Sequence, residues 1–254
     1  MRSEILTLPT GAVRCWRGGA GRPLILLHGG MGDAELHWSG LWDRLAERYD
    51  VIAPDLPGFG RSAALKRPNW LALVQWLDSV RTALSLEDVI LVGTDFGASL
   101  ARAYGGAHHY RTRGLVMING GFLPGLVEQV LARVRPGAGV TGGKPSVLFS
   151  RERLTQMVAD PAILTDRFVA ACQANNAIVT LARRCALGPA PDREVVAHAL
   201  ILWGEHDRIH TLEQGRRLAT AAKGLAFRVL PGCGHLPAVE APEATAAALL
   251  AFLD

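Results

Sequence analysis

The sequence predicts an α/β fold in which a mostly parallel central sheet is flanked by helices and carries a helical insertion. Short apolar runs alternate with stretches whose apolar residues recur at helical spacing. The runs end in glycine-containing loops, as expected of strands that are buried on both faces of a parallel sheet. This alternation stops after residue 120 and resumes near residue 197, which indicates an insertion between two parts of one sheet.

The first part of the chain predicts a hairpin followed by alternating strands and helices. Residues 4–16 alternate apolar and polar side chains around the turn at Pro9-Thr10-Gly11, and residues 23–27 are a continuous apolar run before His28-Gly29-Gly30. The next predicted elements are a helix over 41–49, a strand over 50–54, a helix over 69–84, a strand over 88–92, a helix ending near 107 and a strand over 114–118.

Helical periodicity with Gly and Pro breaks fills the insertion. Its expected helices cover 126–134, 151–158, 161–172 and 175–187. Beyond it we expect a strand over 199–203, a helix over 212–222, a strand over 226–230 and a helix over 242–253. We therefore predict one core domain from residues 1–120 and 197–254, with a helical lid, or cap, from residues 121–196 inserted after the sixth strand. Ligands of such a sheet bind at the carboxyl ends of its strands.

Composition favours a soluble enzyme with a small-molecule substrate. The chain has 254 residues, 49% hydrophobic and 20% charged, and its 27 Lys and Arg are scattered among 23 Asp and Glu without a basic run. We expect no nucleic-acid partner and, because no stretch reaches about 18 apolar residues, no membrane span. The four cysteines lack metal-site or disulfide spacing, and His108-His109 has no evident third ligand. A cytoplasmic monomer or homodimer without cofactor or metal is expected.

The segment Gly93-Thr94-Asp95-Phe96-Gly97 is the strongest candidate for chemistry. It joins a predicted strand to a predicted helix, and small residues flank a side chain that a sharp turn would present at the sheet edge. Two later strands end in Trp203-Gly204-Glu205-His206-Asp207 and in Pro231-Gly232-Cys233-Gly234-His235. A nucleophile position, an acid and a histidine therefore follow one another at carboxyl ends of strands. Asn119, an amide at another strand end, cannot supply the acid's charge.

These motifs together resemble the α/β-hydrolase superfamily over almost the whole chain. The matching segments are His28-Gly29-Gly30, DLPGFGRS at 55–62, GTDFGA at 93–98, LWGEHD at 202–207 and GCGH at 232–235. The resemblance implies that Asp95 stands at the nucleophile position, where most members carry serine, that His235 is the base and that Asp207 orients it. It also implies an oxyanion hole from the backbone N–H groups of Gly30 and Phe96, with His28 shaping that loop.

An aspartate at this position resembles the epoxide hydrolases and haloalkane dehalogenases. A carboxylate suits attack on an sp3 carbon, which leaves an alkyl ester on the enzyme. His235 would then activate water, with Asp207 fixing its imidazole, and the oxyanion hole would stabilise the charge that develops at Asp95. The resemblance therefore implies a hydrolase acting on a small apolar epoxide or organohalide.

Several residues depart from those two subfamilies. Residues 121–196 contain neither Tyr nor Trp to assist the leaving group, Phe96 has no side-chain N–H, and HGGMGD lacks their proline after the His-Gly pair. Candidate substitutes that could contact substrate are Trp38, Asn175 and Asn176, with Gln173 and Arg151 as further possible donors.

The residues leave other functions open. Asp95 and His235 could act as acid and base in a lyase, isomerase or cyclase, and His235 could activate water directly in an ester or lactone hydrolase. The fold could also serve as a ligand-binding protein without catalysis, since fold alone does not imply function. An aligned acid and histidine favour an enzyme.

Overall fold

The computed structural model describes residues 1–121, 148–174, 177–186, 198–221 and 225–254. An eight-stranded sheet has the order β1-β2-β4-β3-β5-β6-β7-β8. Its first two pairings, β1 with β2 and β2 with β4, are antiparallel and all others are parallel. The strands are β1 Arg2–Leu8, β2 Gly11–Gly18, β3 Arg22–Leu27, β4 Tyr49–Pro54, β5 Val89–Thr94, β6 Thr112–Ile118, β7 Ala199–Gly204 and β8 Ala226–Leu230. The predicted, mostly parallel sheet is confirmed.

Helices connect these strands and cover both faces of the sheet. They are α1 Ala34–Trp38, α2 Trp42–Ala46, α3 Trp70–Ala83, α4 Phe96–Ala107, α5 Arg151–Met157, α6 Asp166–Gln173, α7 Ala177–Ala186, α8 Leu212–Ala221, α9 Pro237–Glu240 and α10 Pro242–Leu253. Two short 3-10 helices cover His109–Arg111 and Pro161–Ile163. None of the helices within the described ranges is long and apolar enough to cross a bilayer.

Strand β3 shows why the central strands read as unbroken apolar runs. Ile25 and Leu27 point into one hydrophobic cluster, which includes side chains of α3 and α4. Leu24 and Leu26 alternate with them and point into a second cluster, built with α1, α2 and α10. All four side chains are completely buried, so neither face of this strand needs polar residues.

The helical boundaries differ from the expectations mainly where elements are short. Helices α1 and α9 were not predicted, because five and four residues are too few to show a helical period. The helix expected over 161–172 is a 3-10 turn followed by α6, which begins at an N-cap formed by Thr165. The helix expected over 126–134 lies outside the described residues.

Helices α5 and α6, which lie between β6 and β7, pack against the loops that follow β3 and β8. Their side chains Leu154 and Phe168 share a third hydrophobic cluster with Met31 and Leu236. The backbone N–H of His235 also donates a hydrogen bond of 2.7 Å to the carbonyl oxygen of Met157. The end of α5 is therefore hydrogen-bonded directly to the loop that carries His235.

Replacing Gly97 by Ala is expected to destabilise the protein by about 3 kcal/mol, the upper part of the range for overpacking. A Cβ there would lie 2.2 Å from the carbonyl oxygen of Leu27 and 2.4 Å from that of His28. Gly114→Ala is the matched control, because its Cβ would meet its nearest neighbour at an ordinary 3.4 Å. Urea unfolding of both variants measures the difference; equal stabilities would contradict the close packing of α4 on β3.

Candidate active site

Asp95 occupies a strained turn between β5 and α4. Its φ of 51° and ψ of −117° are unusual for a residue with a side chain. Its N–H donates to the carbonyl oxygen of Ile118, and its carbonyl accepts the first helical N–H groups from Ala98 and Ser99. Gly120 passes so close that an added Cβ would lie 2.4 Å from the Asp95 carbonyl oxygen. These contacts hold the strained backbone and fix the direction of the carboxylate.

The two oxygens of the Asp95 carboxylate have different partners. Oδ2 accepts a hydrogen bond of 2.9 Å from the backbone N–H of Gly30. Oδ1 lies 3.5 Å from Nε2 of His210 and 3.9 Å from Nε2 of His235. The side chain of Asp95 is 23% exposed, whereas that of His235 is 2% exposed. Oδ1 of Asp95 therefore lies beside two imidazoles, on a side chain that is partly exposed.

Asp207 positions both histidines with a single buried carboxylate. Its Oδ2 lies 3.0 Å from Nδ1 of His235. Its Oδ1 accepts backbone N–H bonds of 2.8 Å from Ile209 and 2.9 Å from His210, which turns the chain back toward the sheet edge. The indole N–H of Trp203 donates to the carbonyl of His210 at 2.9 Å and holds the turn from the other side.

His210 was not among the predicted site residues. It is 7% exposed, and its ring lies 5.2 Å from that of His235 in an edge-to-face arrangement. The sequence offered one signal, since His210 follows Asp207 by three residues and an Asp side chain readily bonds the N–H groups two and three residues on. The direction of its side chain follows from that turn.

The charges at this site stabilise one another. Burial alone would raise the pKa of Asp95, but the hydrogen bond with His210 and the positive charges of His235 and His210 hold that pKa well below its ordinary value. Burial likewise opposes the charged form of His235, but the Asp207 carboxylate, followed by Asp95 and Glu240, raises the pKa of His235 to about 9. At neutral pH an Asp95 carboxylate thus faces a His235 imidazolium.

His28 and His37 shape the loop that places the Gly30 N–H. Nε2 of His28 accepts from the N–H of Leu56 at 2.9 Å, so Nδ1 carries the proton and donates to the carbonyl of Gly29 at 2.8 Å. Burial lowers the pKa of both histidines to about 4, which keeps them neutral. This arrangement matches the structural role expected for His28. The position of Phe96, the first residue of α4, places its N–H at the start of that helix.

Asn119 links the two loops that carry the acid and the histidine. Its side-chain amide donates to the carbonyl of Gly234 at 2.8 Å, and its side-chain oxygen accepts from the N–H of Gly204 at 2.7 Å. Asn119 is completely buried and has a φ of 45°. It supplies no charge, as expected, but it sets the distance between the strand ends before Asp207 and His235.

Three of the residues proposed as substrate contacts or donors, Trp38, Gln173 and Arg151, lie within the described residues and have other partners. Trp38 is completely buried in the hydrophobic cluster between the sheet and α1, α2 and α10, which is a packing position, so its assignment as a substrate contact is corrected. Gln173 donates to the carbonyl of Phe149 at 3.0 Å, and Arg151 contacts Leu164 and Asp166. Asn175 and Asn176 lie outside the described residues.

Asp95, His210 and His235 also have the ligand types of a divalent metal site. One carboxylate oxygen and two imidazole nitrogens lie within 4.8 Å of one another. A metal requires an unprotonated imidazole nitrogen, however, and His235 with a pKa of about 9 holds a proton in the neutral range. A metal ion would therefore have to displace a proton that Asp95 and Asp207 stabilise.

Comparisons with known proteins identify the family. Residues 24–248 match the Alpha/beta hydrolase family, and the chain belongs to it. It is 28% identical to the 2-hydroxy-6-oxo-6-phenylhexa-2,4-dienoate hydrolase of Burkholderia cepacia over 92% of this chain and 88% of that protein.

Solved structures show the same fold. A meta-cleavage product hydrolase from Pseudomonas fluorescens has a TM-score of 0.82 and 22% identity, covering 98% of this chain and 97% of that one. A thermophilic esterase from Thermogutta terrifontis has a TM-score of 0.80 and 22% identity, covering 100% of this chain and 98% of that one.

Raising the pH through about 9 is expected to destabilise the protein. The pKa of His235 is raised from 6.5 to about 9 on folding. The protonated His235 therefore contributes fully to the free energy of unfolding below pH 6.5, and this contribution is lost as the pH rises through 9. This pKa shift corresponds to a loss on the order of 3 kcal/mol in the free energy of unfolding. Urea unfolding between about pH 6 and pH 10 measures this loss.

The His235→Gln variant should lack this part of the pH dependence, whereas His206→Gln should keep it, because His206 is an exposed histidine beside Glu205. Parallel curves for the wild type and His235→Gln would contradict the charged state assigned to His235.

Proposed function

We propose that this protein is a hydrolase in which Asp95 displaces a leaving group from an sp3 carbon and His235 then directs water onto the resulting ester. The observation that carries the proposal is the arrangement of the Asp95 carboxylate. One oxygen accepts from the Gly30 N–H, and the other is flanked by two imidazoles on a side chain that is 23% exposed. A carboxylate in this setting is oriented for attack by Oδ1.

The lowered pKa of Asp95 disfavours proton abstraction by its carboxylate. Its surroundings keep the carboxylate ionised, which is the form that attacks carbon. A carboxylate whose pKa lies far below its ordinary value accepts a proton weakly, so it is a poor general base at neutral pH. This argues against a lyase, isomerase or cyclase in which Asp95 removes a proton.

Formation of the ester prepares His235 for the second step. Alkylation removes the negative charge of Asp95, which is one of the causes of the raised pKa of His235. The pKa of His235 therefore falls once the ester exists, and the imidazole can release its proton and accept one from water. Asp207 remains hydrogen-bonded to Nδ1 and holds the ring while Nε2 acts as the base.

The Gly30 N–H serves the hydrolysis of the ester. Water attacks Cγ of Asp95, and the charge that develops on the carbonyl oxygen lies where Oδ2 already accepts from Gly30 at 2.9 Å. The N–H of Phe96 is the second donor in this proposal. Both groups belong to backbone segments that contact Asp95 directly, so they need no movement when the oxyanion forms.

The surroundings of Asp95 favour a small apolar substrate beneath a helical lid. Phe96 stacks on Trp70 with ring centroids 5.6 Å apart. Ile178 of α7 lies against Gly30, where an added Cβ would be 2.7 Å from its side chain. In this proposal residues 121–196 are the lid, and α7 is the part that covers the carboxylate. Epoxides and organohalides with apolar substituents fit such a site.

A second candidate is hydrolysis at a carbonyl without an alkyl ester. It is favoured by the relative from Burkholderia cepacia, which is named for hydrolysis of a 2-hydroxy-6-oxo-dienoate. In that reaction His235 would activate water directly, because attack by Asp95 on an acyl carbon would give a mixed anhydride. This candidate predicts turnover without any adduct on Asp95.

The His235→Gln variant should trap the proposed ester. The wild type is first given pooled epoxides, alkyl halides, esters and dienoates to find a compound that it consumes. The variant is then incubated with that compound, and intact mass with peptide mapping locates the adduct. We expect one alkyl group on Asp95, because the water-activating base is gone while the nucleophile remains.

Controls separate this result from nonspecific alkylation. Asp95→Asn in the same background should form no adduct, and His206→Gln should turn over as fast as the wild type because His206 is exposed. Chelator-treated wild type should retain its activity. Consumption by the wild type with no adduct in His235→Gln would overturn the proposal and favour the second candidate.

A further inference from the structure

Three side chains of metal-ligand type lie close together in the segments that follow β5, β7 and β8. Oδ1 of Asp95 is 3.5 Å from Nε2 of His210 and 3.9 Å from Nε2 of His235. All three atoms lie within 4.8 Å of one another. Two ligands of one tetrahedral zinc ion are about 3.4 Å apart, since each bond is about 2.0–2.1 Å long. The distance between Asp95 and His210 already matches this spacing, and modest side-chain rotations would shorten the other two.

Groups outside this cluster hold its ligands in place. Oδ2 of the buried Asp207 carboxylate lies 3.0 Å from Nδ1 of His235, and the other ring nitrogen, Nε2, lies on the side of Asp95. A carboxylate on the second ring nitrogen is the usual support of a metal-bound histidine. The main chain of His210 is held by its bond to Asp207 and by the indole N–H of Trp203. The three ligands are therefore arranged before any ion binds.

The charges around the cluster favour a doubly charged cation. The carboxylates of Asp95 and Asp207 both face His235, whose imidazolium supplies a single positive charge. When an ion takes Nε2 of His235, the proton of that nitrogen passes to solvent, and two positive charges replace one. Loss of the proton opposes binding, whereas the better balance of charge between the two carboxylates favours it. The side chain of Asp95 is 23% exposed, so the cluster is in contact with solvent.

We propose that Asp95, His210 and His235 together bind one divalent ion of the zinc type, and that the bound ion inhibits the hydrolase. Three protein ligands leave the fourth position of the ion to water. The ion would occupy Oδ1 of Asp95 and Nε2 of His235, which are the nucleophile and the base of the proposed function. Direct activation of water by His235 needs the same Nε2, so the inhibition holds for that candidate also. The sequence led to the expectation of no metal because it did not place His210 here.

The ligand set determines which ions the cluster selects. Two imidazole nitrogens and one carboxylate oxygen suit Zn²⁺, whereas Mg²⁺ prefers carboxylate, carbonyl and water oxygens. Within the described ranges, no second group of three His, Cys, Asp or Glu side chains brings its ligand atoms this close together. We therefore expect one tightly bound Zn²⁺ per chain and no competition from Mg²⁺.

Equilibrium dialysis of the untagged protein against Zn²⁺, with Mg²⁺ in excess, tests the binding. His210→Gln should weaken the affinity by about 100-fold or more, because loss of an outer partner of a ligand already costs about 10–100-fold. His206→Gln is the matched control, since His206 is an exposed histidine 3.7 Å from Glu205, and it should bind Zn²⁺ as the wild type does. Urea unfolding checks that both variants are folded. Equal affinities of the wild type and a folded His210→Gln would overturn the proposal.

A second measurement needs no substitution. Crystals of the wild type are soaked in Zn²⁺, and anomalous diffraction at the zinc absorption edge locates the ion. We expect a peak within bonding distance of Oδ1 of Asp95 and of Nε2 of both His210 and His235. Peaks at surface side chains alone, with none among these three atoms, would overturn the proposal whatever the variants do.

Turnover of a consumed compound tests the inhibition. Zn²⁺ should halve the activity of the wild type at the concentration that half-fills the site in dialysis, and a chelator should restore it. Zn²⁺ that fills the site and leaves turnover unchanged would overturn the inhibitory role, and turnover that rises with Zn²⁺ would contradict both this role and the proposed function. A missing Asp95 adduct in His235→Gln, with Zn²⁺ bound and inhibiting as expected, would count against the proposed function alone.

Discussion

The backbone of Asp95 is the constraint on which the rest of the site depends. A φ of 51° and a ψ of −117° are costly for a residue with a side chain, of order 1–3 kcal/mol, and persist only where neighbouring structure imposes them. Here the neighbouring structure is the close approach of α4 to β3 and of the segment after β6 to the turn. Glycines at 93, 97 and 120 permit these approaches, because a Cβ at any of them would lie within 2.5 Å of a backbone oxygen.

Once that carboxylate is fixed, a second buried carboxylate arranges the groups around it. Asp207 holds His235 by its ring and His210 by its backbone, so one side chain determines where both imidazoles lie. Asn119 then links the two strand ends that carry these loops. The charges alternate between carboxylate and imidazole, which is why the pKa of Asp95 is lowered while that of His235 is raised. The Asp207 carboxylate therefore both positions the two histidines and helps to raise the pKa of His235.

Much of this arrangement could be predicted because it is encoded locally. The runs that form β3, β5 and β7 are almost wholly apolar, and the nucleophile position, the acid and the histidine each lie within five residues of the end of a strand. Parallel strands bring such positions to one edge of the sheet without further information.

His210 could not be placed in the same way. Its direction depends on a turn formed by Asp207 and on a bond from Trp203. Trp38 was misjudged for a similar reason, since a Trp near the site in sequence lies in the core when its short helix packs against the sheet. The contact of Ile178 with Gly30 likewise depends on how α7 docks, which helical periodicity does not specify.

The central claim is that, in the first turnover, the oxygen added to the substrate carbon comes from the Asp95 carboxylate and not from water. The most direct measurement is a single turnover in water labelled with oxygen-18, with enzyme in excess over a consumed epoxide. The account predicts an unlabelled diol and one labelled oxygen in the Asp95 peptide, because water attacks Cγ of the ester. A labelled diol after the first turnover, with an unlabelled Asp95 peptide, would contradict it and show that His235 directs water onto the substrate itself.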